Sequence, residues 1–145
     1  MLNVNENVSE PRLLVYTAYI PVRWCDMDAL GHVNNATYFS YFEQARVLWW
    51  QEAGFMIRNI KTGPILATAT CKFIKPIFQP ADLMVKVYAG AGRRSSYTIY
   101  YEIIDQNHNE IVYAEGSTVV VWVDYELGKS IPLPDDIRRL LPPRI

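Results

Sequence analysis

DMDALGHVNNATYFSYFEQAR, residues 26–46, carries two kinds of information at once. Its first half is dense in groups that do chemistry or make turns: Asp26 and Asp28, Gly31, His32, and the pair Asn34 and Asn35. Its second half is periodic. Tyr38, Tyr41, Phe42, Ala45, Leu48, Trp49 and Ala53 fall at i, i+3, i+4 and i+7 spacings, which predicts a helix over about 36–53. Asn34 or Asn35 suits the N-cap, because a short amide accepts from the first free N–H groups of a helix. Gly54 suits the C′ position that ends it.

Working outward, the flanks read as extended. Residues 13–24, LLVYTAYIPVRW, are rich in β-branched and aromatic types, with Pro21 marking an edge or a bend. After a loop at 54–63, four further segments look like strands: 65–77, 82–90, 96–105 and 111–124. In the third of these, Tyr97, Ile99, Tyr101 and Ile103 alternate with Thr98, Tyr100 and Glu102, the period of a half-buried strand. QNHNE at 106–110 is turn chemistry. Ala114 and Gly116 fall on one face of the last strand, where they would let a helix approach closely. The tail holds a helical turn or two, with Pro134 near its start. Strand, long helix, then four strands gives a two-layer α+β domain spanning 1–145, with 1–11 as an N-terminal extension and 125–145 as a C-terminal tail. One helix covers only part of a five-stranded sheet. A second subunit or a ligand is expected to cover the rest.

The whole chain bounds the function. Its 145 residues suit one domain, and 50% hydrophobic with 13% aromatic residues supplies a core. A formal net charge of −1 with no block of like charge argues against a nucleic-acid or polybasic membrane surface. Only Cys25 and Cys71 are present, which suggests two free, partly buried thiols in a reducing compartment. The N-terminus has neither the cationic lead nor the apolar stretch of a signal peptide, and VVVWV at 119–123 is far too short to span a bilayer. A cytoplasmic protein is expected.

Several chemistries can be tested on the opening stretch. Counted from Asp26 as a calcium loop, Asp28 and Gly31 stand correctly, but position 5 is Leu30 and position 12 is Thr37 where a glutamate is needed. With only His32 and His108 as histidines, and His108 in a turn, no zinc or iron ligand set is evident. Nucleophile elbows and phosphate-binding glycine loops are absent. A carboxylate ahead of a helix start is different. The first helical N–H groups carry partial positive charge and can hold a carbonyl oxygen as it becomes an oxyanion. A nearby carboxylate can then activate water or attack the carbonyl. Asp26 and Asp28 as loop carboxylates that cap backbone amides is the competing reading.

The run D-x-D-x-x-G-H-V-N-N-x-x-Y-x-x-Y-x-E-x-A-R over residues 26–46 resembles the signature of hotdog-fold acyl-CoA thioesterases, the 4-hydroxybenzoyl-CoA thioesterase-like group. The HVNN portion is also similar to plant-type acyl-ACP thioesterases of that fold. The resemblance implies a hotdog fold, a five-stranded antiparallel sheet wrapped around one long central helix. It implies hydrolysis of acyl-CoA, with Asp28 as nucleophile or general base. His32 would be catalytic, substrate-binding or loop-fixing. The backbone of Asn34, Asn35 and Ala36 would supply oxyanion donors. Asp26 would hold the loop, and Glu43 with Arg46 reads as a structural i, i+3 ion pair. Arg93, Arg94, Ser95 and Ser96, at a turn between strands, correspond to a basic turn that meets CoA phosphates in the family. Tyr38 and Phe42 are expected to line the acyl pocket, with the loop 54–63 as cover. No cofactor or metal is implied. The expected partners are acyl-CoA or an acyl carrier protein, and a second copy of the chain in a homodimer or homotetramer. A hotdog hydratase and a non-catalytic acyl-CoA-binding module are the remaining alternatives.

Overall fold

The structure, a computed structural model, describes residues 11–55 and 61–143. Five long strands form one antiparallel sheet: β1 Arg12–Pro21, β2 Thr62–Phe73, β3 Asp82–Gly90, β4 Ser96–Asp105 and β5 Val112–Asp124. Their spatial order is β1-β3-β4-β5-β2, so β1 and β2 are the two edges. A two-residue strand, β6 (Lys129–Ser130), pairs with the end of β5. Helix α1, Asn35–Glu52, crosses one face of the sheet, and a short α2, Asp135–Arg138, follows the last strand. This is the wrapped-helix architecture expected above, with β6 added.

The helix stops as its sequence predicts. Gly54 has φ +81, and its N–H donates to the Gln51 carbonyl while Phe55 N–H donates to that of Trp50. That pairing is a Schellman stop, completed by the Phe55 ring meeting the Trp50 ring edge-on.

Alternation on β4 works as read. Tyr97, Ile99, Tyr101 and Ile103 all face α1 and are buried. Phe42 stacks on Tyr101 with ring centroids 4.5 Å apart, and Trp50 Nε1 donates to Tyr97 Oη. The Phe42 ring lies directly over Gly116 of β5, so the small face of β5 is the seat of the helix. Leu133, Ile137 and Leu141 of the tail close the core.

Three boundaries differ from expectation. β1 ends at Pro21 instead of 24, because the Asp26 carboxylate takes the Arg23 N–H and turns residues 24–26 into a 3-10 turn. β2 starts at Thr62, within the expected loop, because its pairing with β5 extends to Asp124. It stops at Phe73 instead of 77, because the N–H groups of Ile74 and Lys75 both converge on the Tyr113 carbonyl. Residues 56–60 of the loop expected to cover the pocket lie outside the described residues.

β2 is unusual for its exposure. Gly63 alone is fully buried, while Ile65, Leu66 and Phe73 are exposed apolar side chains. Among the described residues, no helix is long and apolar enough to cross a membrane.

Candidate active site

Residues 27–34 form a compact loop between the 3-10 turn and α1. Met27 and Val33 bridge across its base, and Val33 N–H donates to the Ile77 carbonyl, which anchors it to the chain beyond β2. Within it, Asp28 N–H donates to the His32 carbonyl and Gly31 N–H to the Asp28 carbonyl. Gly31 has φ +92, a conformation that costs a side chain and that glycine adopts freely.

Asp26 is the structural carboxylate. It is 3% exposed. Its Oδ2 accepts from the Arg23 N–H at 2.9 Å and from the Tyr41 hydroxyl at 2.8 Å, and its Oδ1 accepts from the Arg23 guanidinium at 2.9 Å. Its backbone carbonyl takes the Asn34 N–H. Asp26 thus ties the loop to both ends of the helix start. Burial, the largest single influence, pushes its carboxyl up. The Arg23 N–H, the Tyr41 hydroxyl and the Arg23 guanidinium together outweigh it, so the group sits below the usual carboxylate range. The stability this lends is present above the unfolded aspartate value of about 3.9 and is lost as pH falls through the lower folded value. Tyr41→Phe is expected to cost about 1.5–3 kcal/mol, since a buried charge loses a hydrogen bond. It should also reduce the stability gained between acid and neutral pH, as urea unfolding across that range will show.

Asp28 is the other kind. It is partly exposed, with Oδ1 accepting the Leu30 N–H at 2.9 Å and Oδ2 accepting from Asn34 Nδ2 at 3.3 Å. Two contacts orient the carboxylate while leaving lone pairs open to a substrate or water.

Asn34 is the N-cap, its Oδ1 accepting the Ala36 N–H at 2.9 Å. This corrects the expectation that Asn34, Asn35 and Ala36 all offer oxyanion donors. The Asn34 N–H is engaged by Asp26 and the Ala36 N–H by the cap. The Asn35 N–H has no acceptor among the described residues and stands at the positive end of an 18-residue helix. One donor of the three is therefore free.

His32, Asn35 and Tyr38 share a cleft of about 170 Å³ with Phe73 and Ile74. Asp28 does not line this cleft but holds the cap residue next to Asn35. The His32 ring meets Phe78 edge-on, and its Nδ1 lies 3.4 Å from the Val33 carbonyl oxygen. That contact favours the proton on Nδ1 and leaves Nε2 as an acceptor. Tyr38 packs against Phe73 with ring centroids 4.8 Å apart. Phe42 lies one turn on, in a second groove between α1 and β2.

The four residues expected to meet CoA are not beside this loop. Arg93, Arg94, Ser95 and Ser96 form the β3–β4 turn at the opposite end of α1, where Tyr97 meets Trp50 and Ser95 accepts the Trp122 N–H. A helix of 18 residues is about 27 Å long, so one chain cannot place this turn against Asp28. Arg138, which donates to the carbonyls of Arg93 and Arg94, enlarges the basic corner and was not foreseen.

One side chain differs from its sequence reading. Cys25 is exposed instead of partly buried, whereas burial pushes the Cys71 thiol up to about 11. Glu43 and Arg46 form the expected i, i+3 ion pair at 3.9 Å, and Arg46 also donates to the Tyr101 hydroxyl at 3.0 Å. Among the described residues, no three histidine, cysteine or acidic side chains lie close enough to share a metal ion.

A family model for the thioesterase-like superfamily matches residues 22–141. The chain belongs to the thioesterase-like superfamily. Its fold is the hotdog fold of these thioesterases. A candidate thioesterase from Pseudomonas aeruginosa superposes with a TM-score of 0.82 at 39% identity, over 87% of this chain and 97% of that one. A candidate acyl-CoA thioesterase from Xanthomonas campestris gives 0.72 at 37% identity, over 77% and 94%. The chloroplastic acyl-acyl carrier protein thioesterase of Arabidopsis thaliana is 28% identical, over 82% of this chain and 63% of that protein.

Proposed function

We propose that this thioesterase-superfamily protein hydrolyses acyl-CoA thioesters. The carrying observation is that the Asp28 carboxylate, oriented from two sides, is tied to the cap of the helix whose Asn35 N–H is free. A thioester carbonyl seated at the helix start directs its oxygen to Asn35. Asp28 then either removes a proton from water, whose oxygen forms the new C–O bond, or attacks the carbon itself to give an anhydride that water cleaves. In both routes the C–S bond breaks and the sulfur leaves as a thiolate. Thiol pKa values near ~8.5 make that departure feasible without a strong acid. His32, with Nε2 as acceptor, holds a substrate or water proton in the adjoining cleft. Tyr38, with Phe73 beside it, forms the apolar wall for the acyl group, whereas Phe42, expected to join it, is held in the core against Tyr101.

Assembly completes this reading. A 12-residue edge strand with exposed apolar side chains favours pairing with a second copy of itself. In an antiparallel pairing about its centre, the Thr62 end of one β2 lies beside the Phe73 end of the other. Thr62–Ile65 is also the end at which the β3–β4 turn sits, through β5 pairing of Ile65 with Val121 and of Ser96 with Val121. The partner's basic turn is thereby brought toward the cleft that Phe73 lines. Arginine forks suit CoA phosphates there. Replacing both Arg93 and Arg94 with serine is expected to raise KM for acyl-CoA about tenfold or more with kcat little changed. An effect on kcat alone would remove the turn from CoA binding.

Likeness to the Xanthomonas protein supports CoA as the carrier, and likeness to the Arabidopsis protein supports acyl carrier protein as the second reading. Free-thiol release from short, long and aromatic acyl-CoAs, beside acyl carrier protein thioesters, tests both. Turnover of CoA esters with inhibition by free CoA supports the first. Turnover of carrier-protein esters alone replaces it with the second.

A further inference from the structure

The segment that follows β2 is pinned beside the start of α1. The N–H groups of Ile74 and Lys75 both donate to the Tyr113 carbonyl of β5. Tyr113 is itself held, its hydroxyl donating to Asp105 at 2.7 Å. Two residues on from Lys75, the Ile77 carbonyl accepts the Val33 N–H at 2.9 Å. Just before the segment, Phe73 packs edge-on against Tyr38 of α1. Residues 73–77 are thus tied to β5, to the Asp28 loop and to the helix, and the ring of Pro76 stiffens the middle. The backbone of Lys75 has a fixed place.

That place is the wall of the candidate catalytic cleft. Lys75 lines it together with Asn35, Tyr38 and Phe73, and among the described residues no acid does. The Lys75 ammonium makes no hydrogen bond or ion pair among the described residues. A permanent cation without an internal partner therefore stands in the same small space as the free Asn35 N–H and the apolar wall. At about 170 Å³ the cleft is below the ~300–1,000 Å³ of a pocket that encloses a drug-sized ligand, so what it encloses is short.

We infer that Lys75 selects short acyl groups ending in a carboxylate, by pairing its ammonium with that carboxylate. The inference rests on the hydrolysis proposed above, which seats the thioester carbonyl at Asn35. Three parts of the substrate could then meet Lys75. The phosphates of CoA lie at the far end of a long pantetheine arm, which a cleft of this size cannot hold. The thioester itself is neutral in the ground state. The acyl tail is the part that enters the cleft, and a carboxylate at its end gains a charge-assisted hydrogen bond from the ammonium. An uncharged tail of the same shape uses the Tyr38–Phe73 wall equally well and leaves the ammonium to water. The rings beside the pair exclude water on one side, which strengthens the attraction.

The test compares thiol release from glutaryl-CoA and 5-methylhexanoyl-CoA, which carry a carboxylate and an uncharged branch of the same shape at the same distance from the thioester. Wild type is expected to favour glutaryl-CoA in kcat/KM by at least about tenfold, the worth of one charge-assisted hydrogen bond. Lys75→Met should bring that ratio close to one, and Lys75→Glu should invert it. Lys75 is exposed, so both variants keep the fold. Equal use of the two esters by wild type overturns the inference. So does a ratio that survives Lys75→Met: an equal loss on both esters would mean that the ammonium serves the thioester or CoA, which both share. If neither ester is hydrolysed, the hydrolysis reading falls separately. Calorimetric titration of the two intact esters into wild type and Lys75→Met then decides. Tighter glutaryl-CoA binding that depends on Lys75 supports the pairing, and equal binding overturns it.

Discussion

Asp28→Asn is expected to lower kcat for thioester hydrolysis by about 10²–10⁴, the range that a positioned acid–base group contributes, with the fold intact. The substitution is nearly isosteric. An asparagine oxygen still accepts the Leu30 N–H, which Asp28 Oδ1 accepts at 2.9 Å. What is lost is the negative charge, and with it both the proton acceptor and the attacking oxygen. Asn34 Nδ2, 3.3 Å from Asp28 Oδ2, then faces an amide NH₂ or forces the new side chain to choose between two donors. The N-cap itself uses the other end of Asn34, its Oδ1 on the Ala36 N–H, so the helix start survives. In the proposed reaction substrate is held by the Asn35 N–H and the apolar cleft, so KM should move far less than kcat. Steady-state thiol release, with thermal melting as the control for folding, reads this directly. Activity equal to wild type would reduce Asp28 to a turn-forming residue. The parallel substitution Asp26→Asn should show the reverse pattern, because Asp26 is buried and its oxygens are taken by Arg23 and Tyr41. It should lower stability more than it lowers kcat in the fraction that remains folded.

The two aspartates show what was legible in the sequence and what was not. The loop, its cap and its glycine lie within ten residues, so local rules reached them. D-x-D, the HVNN run and the helical aromatic spacing were sufficient to place Asp28 before a helix. Which aspartate is buried depends on Tyr41, 15 residues away, and the fate of Arg46 depends on Tyr101, 55 residues away. Spacing within a helix found Glu43 as the ion-pair partner of Arg46, but could not find the Tyr101 hydroxyl that the sheet adds. The oxyanion donors were narrowed for a similar reason. A helix start offers several free N–H groups in principle, but the Asp26 carbonyl and the Asn34 side chain engage two of the three named positions. The basic turn was found correctly as a turn. Its distance from Asp28 follows from strand order, which no local pattern encodes.

The small face of β5 was legible, and its contact with Phe42 carries the largest expected effect on stability. A Cβ built on Gly116 would lie 2.6 Å from Phe42 Cζ and 2.7 Å from the Thr70 backbone oxygen. Neither neighbour can yield. Phe42 is fully buried and stacked on Tyr101, and the Thr70 oxygen belongs to β2, paired to β5 through this register. Gly116→Ala should therefore cost at least the ~1–3 kcal/mol of an overpacked core, and Gly116→Val should exceed it. Denaturant midpoints at constant m-value would measure both. Phe42→Ala alone should cost about 3–5 kcal/mol through the cavity it leaves. In that background Gly116→Ala should cost less than it does in wild type, because one of its two clashes is gone. It should still cost something, because the Thr70 oxygen remains. A coupling energy near zero would mean that the ring is not what excludes a side chain at 116. A consequence for function follows from the same contact. Phe42 stands between the core and the α1–β2 groove, so lifting its ring off Gly116 moves the helix against β2. Gly116→Ala should then weaken the pairing of copies and raise KM in proportion, while the Asp28 loop, held independently by Asp26 and Ile77, keeps kcat in the folded fraction.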